Sequence, residues 1–278
     1  MAVQQVAIIG AGPTGRAAAR VLAEAGVAVT VFDREAEGGG LMRYGFPEYR
    51  MPPTVPARDT ESLRGLGVTF RFETSLGEDV TLEELERDYD AVLVATGAPR
   101  PRELDVPGED SPRVHHALEY LYAVRSGDPV DVGRKVVVIG GGDTAVDAAV
   151  TARESGAEAV IAYRGSELKA QPHEQRRAQE AGVGVRFRAV PTAVVGTEDD
   201  LRVELSEGEA EPASAIILAI GQETDSPFLR KLGLEVRPDG TTNRPTVFVA
   251  GGTKYASDRL AKAIQAGRQE AQTNLKAH

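Results

Sequence analysis

Two similar glycine-rich turns constrain the fold of this chain more than any other feature of its sequence. The segments VAIIGAGPTG at residues 6–15 and VVVIGGGDTA at residues 136–145 each run from apolar, β-branched residues into glycines, and 130 residues separate them. Such an apolar run predicts a buried parallel strand, and the glycines predict a tight turn into a helix. Because the separation has the size of a domain, the sequence predicts two nucleotide-binding units and not an array of short repeats.

Predicted strands and helices alternate along the rest of the chain, which favours an α/β fold with parallel sheets. Further buried strands are predicted at residues 27–32, 91–95, 160–163, 215–220 and 246–250. Helices are predicted at residues 14–25, 81–88, 144–155, 173–181 and 258–277. Proline and glycine cluster at residues 97–112 and 221–227, which we interpret as connections between two domains. The first domain is then predicted to comprise residues 1–112 and 224–278, and the second, residues 113–223, is inserted into it.

The first turn carries a complete G-x-G-x-x-G pattern at Gly10, Gly12 and Gly15. Glycines there permit the tight turn and let backbone N–H groups approach a pyrophosphate, which the positive end of the helix dipole also attracts. Asp33 follows the next strand, 18 residues after Gly15, where a carboxylate suits a ribose. The pattern predicts an adenine dinucleotide site without separating FAD from NAD. Three neighbouring residues are assigned to the same site, namely Pro13, Thr14 and Arg34.

The second turn has the pattern G-x-G-x-x-A, in which Gly140 and Gly142 are followed by Ala145. The next strand ends in Tyr163 and Arg164, with no carboxylate. A carboxylate would repel the 2'-phosphate of NADPH, whereas a guanidinium pairs with it, so this sequence favours NADPH over NADH. A solvated arginine at a strand end is the alternative interpretation of Arg164.

Composition excludes several kinds of chemistry. The chain contains no cysteine, so a disulfide redox centre, thiolate metal ligands and cysteine-held iron–sulfur clusters are impossible within it. Its four histidines lack metal-ligand spacing, and we predict no metal site. The net charge of -10 disfavours nucleic acid as a partner, and no apolar run approaches the ~20 residues of a membrane helix. We therefore expect a cytoplasmic protein that binds neither nucleic acid nor membrane.

Motifs spread over nearly the whole chain carry a family resemblance. They are GAGPTG (10–15), GGGLMRYGFPEYRMP (38–52), LGEDVTLEEL (76–85), ATGAPRPR (95–102), GGGDTAVDAA (140–149), YRGSE (163–167), AIGQ (219–222) and VFVAGG (247–252). With these motifs the chain resembles NADPH-dependent oxidoreductases related to the small subunit of bacterial glutamate synthase. That family lies within the two-dinucleotide flavoprotein superfamily that includes thioredoxin reductase.

The resemblance implies that the first site holds FAD. Residues expected along the flavin or closing its crevice are Gly40, Leu41, Arg43, Thr96, Gly97 and Gly252. Thr253 stands where the family usually has an aspartate that binds the flavin ribityl chain. At the second site, Asp143 and Thr144 are expected to line the phosphates of the nicotinamide dinucleotide. Relatives often carry or adjoin an N-terminal iron–sulfur segment, whereas this sequence begins at the first strand, so we expect a bare flavin core.

The expected activity is hydride transfer from NAD(P)H, with NADPH favoured, to FAD, followed by electron transfer to an acceptor outside the chain. No side-chain acid or base is needed, so no catalytic residue is predicted. The start of the final helix, near Ser257 and Asp258, is expected to stabilise the reduced flavin. Two alternatives stay open, namely a regulatory or electron-transfer subunit that turns over only within a complex, and a reductase of ferredoxin, flavodoxin or a quinone. We consider a protein as the electron acceptor and a homodimer as the assembly of this chain.

Overall fold

In a computed structural model, the chain folds into two compact units. The structure describes residues 4–98, 100–197, 200–223, 226–253 and 269. The first unit comprises Met1–Arg43, Met51–Arg100 and Gln222–His278, and the second comprises Tyr44–Arg50 and Pro101–Gly221.

The strands are β1 (Gln5–Ile9), β2 (Ala28–Phe32), β3 (Thr69–Arg71), β4 (Ala91–Val94), β5 (Arg100–Pro101), β6 (Val114–His116), β7 (Lys135–Ile139), β8 (Glu158–Tyr163), β9 (Gly184–Phe187), β10 (Pro191–Val195), β11 (Arg202–Leu205), β12 (Ala210–Pro212), β13 (Ala215–Leu218), β14 (Gln222–Glu223) and β15 (Val247–Val249). The helices are α1 (Pro13–Glu24), α2 (Leu41–Tyr44), α3 (Thr54–Gly65), α4 (Leu82–Asp88), α5 (Ala117–Ser126), α6 (Asp143–Glu154), α7 (Pro172–Glu180) and α8 (Ser226–Lys231).

The first unit contains a five-stranded parallel sheet in the order β15-β4-β1-β2-β3. Successive residues of β1 point to opposite faces of this sheet, as the pleat requires. Val6 and Ile8 pack in one core cluster with residues of α1, and Ala7 and Ile9 pack in another with residues of α4. Both faces are covered, which explains why the strand is apolar from Val6 to Ile9 and not alternating.

The second unit repeats the order of four of these five strands, but its edge strand β6 comes first in the chain, whereas β15 comes last. Its five-stranded parallel sheet has the order β6-β13-β7-β8-β9, so β7 takes the place of β1, and β8 and β9 take the places of β2 and β3. Both sheets show the strand order of a Rossmann fold half, and the predicted α/β class with two Rossmann-like units is confirmed. A three-stranded antiparallel sheet, β10-β11-β12, belongs to the second unit alone.

The predicted strands and helices that fall on described residues agree with the structure to within two residues at each end. The helix predicted from residue 81 begins at Leu82 because Thr81 is its N-cap: the Thr81 hydroxyl accepts a hydrogen bond from the N–H of Glu84 at 3.3 Å, and the Glu84 carboxylate accepts one from the N–H of Thr81 at 2.9 Å. The helix predicted at residues 258–277, with Ser257 and Asp258 at its start, lies outside the described residues.

The structure places residues 101–112 with the second unit, whereas the sequence assigned them to the first domain. The N–H of Val194 in β10 donates a hydrogen bond to the carbonyl oxygen of Pro107 at 2.8 Å, which holds this segment on the antiparallel sheet. Residues 44–50 also belong to the second unit, although residues on both sides of them belong to the first. Neither assignment leaves a signal in hydrophobic periodicity, because both segments are irregular.

Candidate functional site

The first glycine-rich corner lies between β1 and α1. Gly10 has a left-handed φ of +106°, and an ideal Cβ on it would lie under 3.0 Å from the carbonyl oxygen of Ala95. An ideal Cβ on Gly15 would lie equally close to the carbonyl oxygen of Gly10. Close packing therefore requires glycine at both positions, and at Gly10 the backbone conformation requires it as well.

Gly12 is a glycine for a different reason. It is the N-cap of α1, before Pro13, and its φ of -75° suits any residue. An ideal Cβ on Gly12 would find only the Cα of Gly40, 4.0 Å away. The space before this helix N-terminus is thus open, and the first-turn N–H groups, which lack acceptors within a helix, border it. A pyrophosphate, which needs close approach to such N–H groups, fits this opening.

A second glycine-rich segment packs onto this corner. The N–H of Gly39 donates a hydrogen bond to the carbonyl oxygen of Ala11 at 2.9 Å. Gly40, with a φ of +51°, approaches so closely that an ideal Cβ on it would lie 2.9 Å from the Cα of Gly12. The structure therefore brings Gly40 to the G-x-G-x-x-G turn, as its assignment to the same site requires.

Two predicted arginines near this corner lie in surface ion pairs. Arg34, whose side chain is 68% exposed, is 3.1 Å from the carboxylate of Glu35. The Arg43 guanidinium lies 2.5 Å from the carboxylate of Glu37. Leu41, at the start of α2, is 46% exposed although it is apolar, so its side chain is available to a flat apolar ligand.

Asp33 reaches back to the corner from the end of β2. One of its carboxylate oxygens accepts a hydrogen bond from the N–H of Ala11 at 2.5 Å, and the other accepts one from the N–H of Glu35 at 2.9 Å. Burial raises the pKa of Asp33, although these two N–H groups oppose the rise. Because a carboxylate has about four acceptor positions and two are occupied here, Asp33 retains capacity to accept from ribose hydroxyls.

Thr253, which follows β15, contacts the loop after β4. Its side chain is fully buried, and its hydroxyl oxygen accepts a hydrogen bond from the N–H of Gly97 at 2.9 Å and lies 3.2 Å from the hydroxyl of Thr96. Gly252 approaches the same loop, since an ideal Cβ on it would lie 3.0 Å from the N–H nitrogen of Ala98. Thr96, Gly97, Gly252 and Thr253 are thus brought together as the sequence grouped them, and the Thr253 hydroxyl is engaged within the protein.

We expect Thr253→Val to lower the free energy of unfolding by about 1 kcal/mol, because valine removes the acceptor of the Gly97 N–H without changing the volume. Thr253→Ser retains the hydroxyl and is the matched control. Urea unfolding of both variants measures the effect. Equal stability of the valine variant and the wild type would mean that the hydroxyl does not hold this loop.

The second corner, between β7 and α6, repeats the first. Gly140 has a left-handed φ of +149°, and an ideal Cβ on it would lie under 3.0 Å from the carbonyl oxygen of Ala219. Gly142 is the N-cap of α6 with a φ of -94°, and an ideal Cβ on it would find no atom within 4 Å. Ala145, fully buried, occupies the place of the third glycine. This corner also presents an open helix N-terminus.

Tyr163 takes the position at the second corner that Asp33 has at the first. Its ring lies against two glycines: ideal Cβ atoms on Gly141 and on Gly165 would each lie 2.5 Å from ring carbons. Both glycines are therefore required by the tyrosine, a role that the sequence did not indicate. The next residue, Arg164, is exposed, and within the described part of the chain its guanidinium forms no hydrogen bond or ion pair.

Asp143 and Thr144 begin the first turn of α6, which starts one residue before the predicted helix. One carboxylate oxygen of Asp143 accepts a hydrogen bond from the N–H of Gln171 at 2.7 Å, and the other lies 3.8 Å from the guanidinium of Arg50. The Asp143 charge is therefore partly compensated at the place where an anion would approach. Contact of Asp143 and Thr144 with phosphates stays a prediction.

Sequence reasoning missed Arg16 in the first turn of α1. The residue is 2% exposed, and its guanidinium binds three groups of α3: the carboxylate of Asp59 at 2.7 Å, the hydroxyl of Thr60 at 2.9 Å and the carbonyl oxygen of Pro56 at 2.7 Å. A charged residue on the apolar face of α1 is the sequence signal that could have indicated a buried ion pair. Arg16 fixes α3 beside the first corner.

Two further features are absent from the described residues. The described residues hold no group of three or more His, Asp or Glu side chains that could bind a metal ion. Among the helices in the described ranges, none is long and apolar enough to cross a membrane.

Two Rossmann-type units, each with an open helix N-terminus after the central strand of its parallel sheet, define a protein with two dinucleotide-binding folds. Residues 4–271 match the family described as pyridine nucleotide-disulphide oxidoreductase. The chain belongs to this family, whose members are NAD(P)H-dependent flavoprotein oxidoreductases, and the predicted enzyme class is confirmed.

Known relatives agree with this placement. The chain is 35% identical to the glutamate synthase [NADPH] small chain of Halomonas elongata, over 96% of this chain and 66% of that protein. It is also 35% identical to the NADPH-Fe(3+) oxidoreductase subunit beta of Geobacter sulfurreducens, over 84% of this chain and 39% of that protein. It thus spans less than two thirds of either relative. Thioredoxin reductase of Lactococcus lactis is 26% identical with a TM-score of 0.74, covering 99% of this chain and 98% of that one.

Proposed function

We propose that the chain binds FAD in its first unit and NADPH in its second, and that it passes reducing equivalents from NADPH to an acceptor outside the chain. When bound, the two cofactors supply the redox chemistry, with the nicotinamide as hydride donor and the flavin as carrier to the acceptor. The observation that carries this proposal is the pair of N-cap glycines, Gly12 and Gly142. Neither backbone conformation nor internal packing requires glycine there, whereas a pyrophosphate does.

The residues of the first unit would bind FAD by three means. The N-terminus of α1 would hold the pyrophosphate by its N–H groups and its dipole. Asp33 would accept hydrogen bonds from the adenosine ribose, for which its carboxylate has free acceptor positions. Leu41 would cover one side of the flavin, which gives a reason for an exposed leucine beside a glycine corner.

In the second unit, the residues at the end of β8 determine the selectivity for NADPH over NADH. Asp33 of the first unit has Tyr163 as its counterpart, so no carboxylate is present at that position to repel a 2'-phosphate. Arg164 follows it, and its guanidinium forms no ion pair with any of the described residues. These two features favour NADPH over NADH.

We propose that the acceptor is a protein. Relatives at 34–35% identity are named as subunits or small chains of NADPH-dependent enzymes, including an NADP(+)-dependent formate dehydrogenase of Moorella thermoacetica. The chain has no cysteine, so it offers no internal disulfide as the next electron carrier.

The purified chain, reconstituted with FAD, should be yellow and should lose its visible flavin absorbance when NADPH is added without oxygen. A visible spectrum before and after anaerobic addition measures this. NADH at the same concentration is the control and should bleach the flavin more slowly. A colourless chain that cannot be reconstituted, or a yellow chain that neither dinucleotide bleaches, would contradict the proposed function.

A further inference from the structure

The two units permit a position-by-position comparison of one turn. Ile9 pairs with Phe32 in the first sheet, and Ile139 pairs with Ala162 in the second, so the residues after these strands correspond one to one. Arg164 therefore corresponds to Arg34, and Gly165 to Glu35. The loops after β3 and β9 correspond as well. The N–H of Glu73 donates a hydrogen bond to the carbonyl oxygen of Glu35 at 3.1 Å, and the N–H of Arg188 donates one to the carbonyl oxygen of Gly165 at 3.0 Å.

Glu73 and Arg188 even share a rare backbone conformation. Their φ angles are +52° and +58°, and left-handed values are uncommon for residues other than glycine. The same hydrogen bond and the same φ show that both turns have one geometry. Any difference in what the turns bind must therefore come from their side chains.

The side chains reverse the charge. In the first unit this turn carries three carboxylates, from Asp33, Glu35 and Glu73, and its one cation, Arg34, is paired with Glu35. In the second unit the corresponding residues include no carboxylate and two cations. The first turn suits ribose hydroxyls, which donate hydrogen bonds, and the second suits an anion.

Arg164 and Arg188 are both exposed, and neither guanidinium has a hydrogen bond or ion pair with any residue that the structure describes. Arg186, two residues before Arg188, differs: its guanidinium binds the carboxylates of Glu209 and Glu211. Gly165, whose carbonyl oxygen accepts the hydrogen bond from the Arg188 N–H, adds no charge between these two arginines. Two adjacent cations without counter-ions repel each other, and a doubly charged anion relieves that repulsion.

We propose that Arg188 is a specificity-determining residue, which binds the 2'-phosphate of NADPH together with Arg164. This inference rests on the proposed function, since it assigns a second phosphate ligand at the nicotinamide dinucleotide site. Arg188 directly follows β9, the strand that pairs with β8, and its N–H donates a hydrogen bond to the carbonyl oxygen of Gly165, the residue after Arg164. NADH has a hydroxyl at this place and gains nothing from a second guanidinium.

The test uses the full chain with FAD bound and the variant Arg188→Asn, because asparagine tolerates a left-handed φ. We expect the KM for NADPH to rise about tenfold, as for loss of one charge-assisted hydrogen bond, while kcat and the KM for NADH stay within about twofold of the wild type. Adenosine 2',5'-bisphosphate, titrated by calorimetry, should lose affinity by a similar factor, and 5'-AMP should not.

Arg134→Asn is the matched control, since Arg134 is an exposed arginine of the same unit that precedes β7, at the opposite end of the parallel sheet. Equal changes in the KM for NADPH and NADH, or an effect of Arg134→Asn as large as that of Arg188→Asn, would overturn the assignment of Arg188. If the wild type oxidises NADPH and the Arg188→Asn variant has the same KM for NADPH, this inference alone is refuted. A wild-type chain that binds neither dinucleotide would refute the proposed function and this inference with it.

Discussion

We expect Gly142→Ala to remain yellow when NADPH is added without oxygen, and Gly12→Ala to be purified without FAD. Both glycines are N-cap residues with φ angles that alanine adopts, and an ideal Cβ on either has no close contact with protein atoms. Alanine at an N-cap lowers helix stability by about 1 kcal/mol or less relative to glycine. The added methyl group would instead point into the space proposed for a pyrophosphate and displace it from the helix N-terminus.

The two variants control each other, since the same change at corresponding positions should remove different ligands. We expect at least about 100-fold weaker binding in each case, equivalent to about 2.7 kcal/mol. Gly12→Ala should lose FAD yet retain binding of adenosine 2',5'-bisphosphate, and Gly142→Ala should show the reverse. Calorimetry and the visible spectrum measure both, and circular dichroism reports whether each variant folds. If both variants bound both ligands normally, the N-cap glycines would not be the pyrophosphate sites.

Much of the fold could be predicted because both units rely on strong local signals. After their first residue the strands β1 and β7 are apolar and mostly β-branched, and each enters a glycine turn whose geometry only glycine permits, as Gly10 and Gly140 show. The helix α3 was missed because its sequence includes Pro56, a helix breaker in most contexts. The structure places Pro56 in the first turn, where its missing N–H costs nothing.

The residues of the candidate site could be predicted where their own strand or turn fixes their position. Asp33 and Arg164 follow their strands, and their positions can be counted along the sequence. Arg188 could not be found this way, because it acts through Gly165, a neighbour distant in sequence, and Thr253, which acts through Gly97, was assigned by the family resemblance alone. Such pairs depend on strand order, which periodicity does not reveal.

Residues 44–50 form a strap, so named here, that packs on α6 and α7 of the second unit. Arg50 lies between three carboxylates: it contacts Asp147 directly, and its guanidinium is 3.2 Å from Glu174 and 3.8 Å from Asp143. The hydroxyl of Tyr49 donates a further hydrogen bond to Asp147 at 3.1 Å.

Asp147 and Glu174 are each 2% exposed, and Arg50 contacts both of these buried carboxylates, while Arg177 lies 3.8 Å from Glu174 alone. Removal of one partner from a buried ion pair is strongly destabilising, because the other charge is left uncompensated. The Arg50 side chain is therefore expected to matter more for stability than any surface arginine of the chain.

We expect Arg50→Met to lower the free energy of unfolding of the second unit by about 3–5 kcal/mol at pH 8.5. Glu48→Gln is the matched control, since Glu48 lies in the same strap but is 74% exposed and 3.8 Å from Arg125, so its loss should cost less than about 1 kcal/mol. Denaturant unfolding of both variants measures the difference.

The effect of Arg50→Met should depend on pH with a definite sign. Burial raises the pKa of Asp147 from 3.8 to about 7, although Arg50 and the Tyr49 hydroxyl lower it. The folded state thus binds a proton at Asp147 more tightly than the unfolded state does, and this group makes the protein less stable as the pH rises from about 4 to about 7. Arg50 limits that loss by stabilising the charged carboxylate, so its removal should cost least near pH 5, where Asp147 is protonated, and most above pH 7.

The double variant Arg50→Met/Asp147→Asn should recover part of the loss at pH 8.5, because asparagine leaves no charge to compensate. An equal loss at pH 5 and pH 8.5, with no recovery in the double variant, would show that Arg50 stabilises the strap by packing and not by its charge.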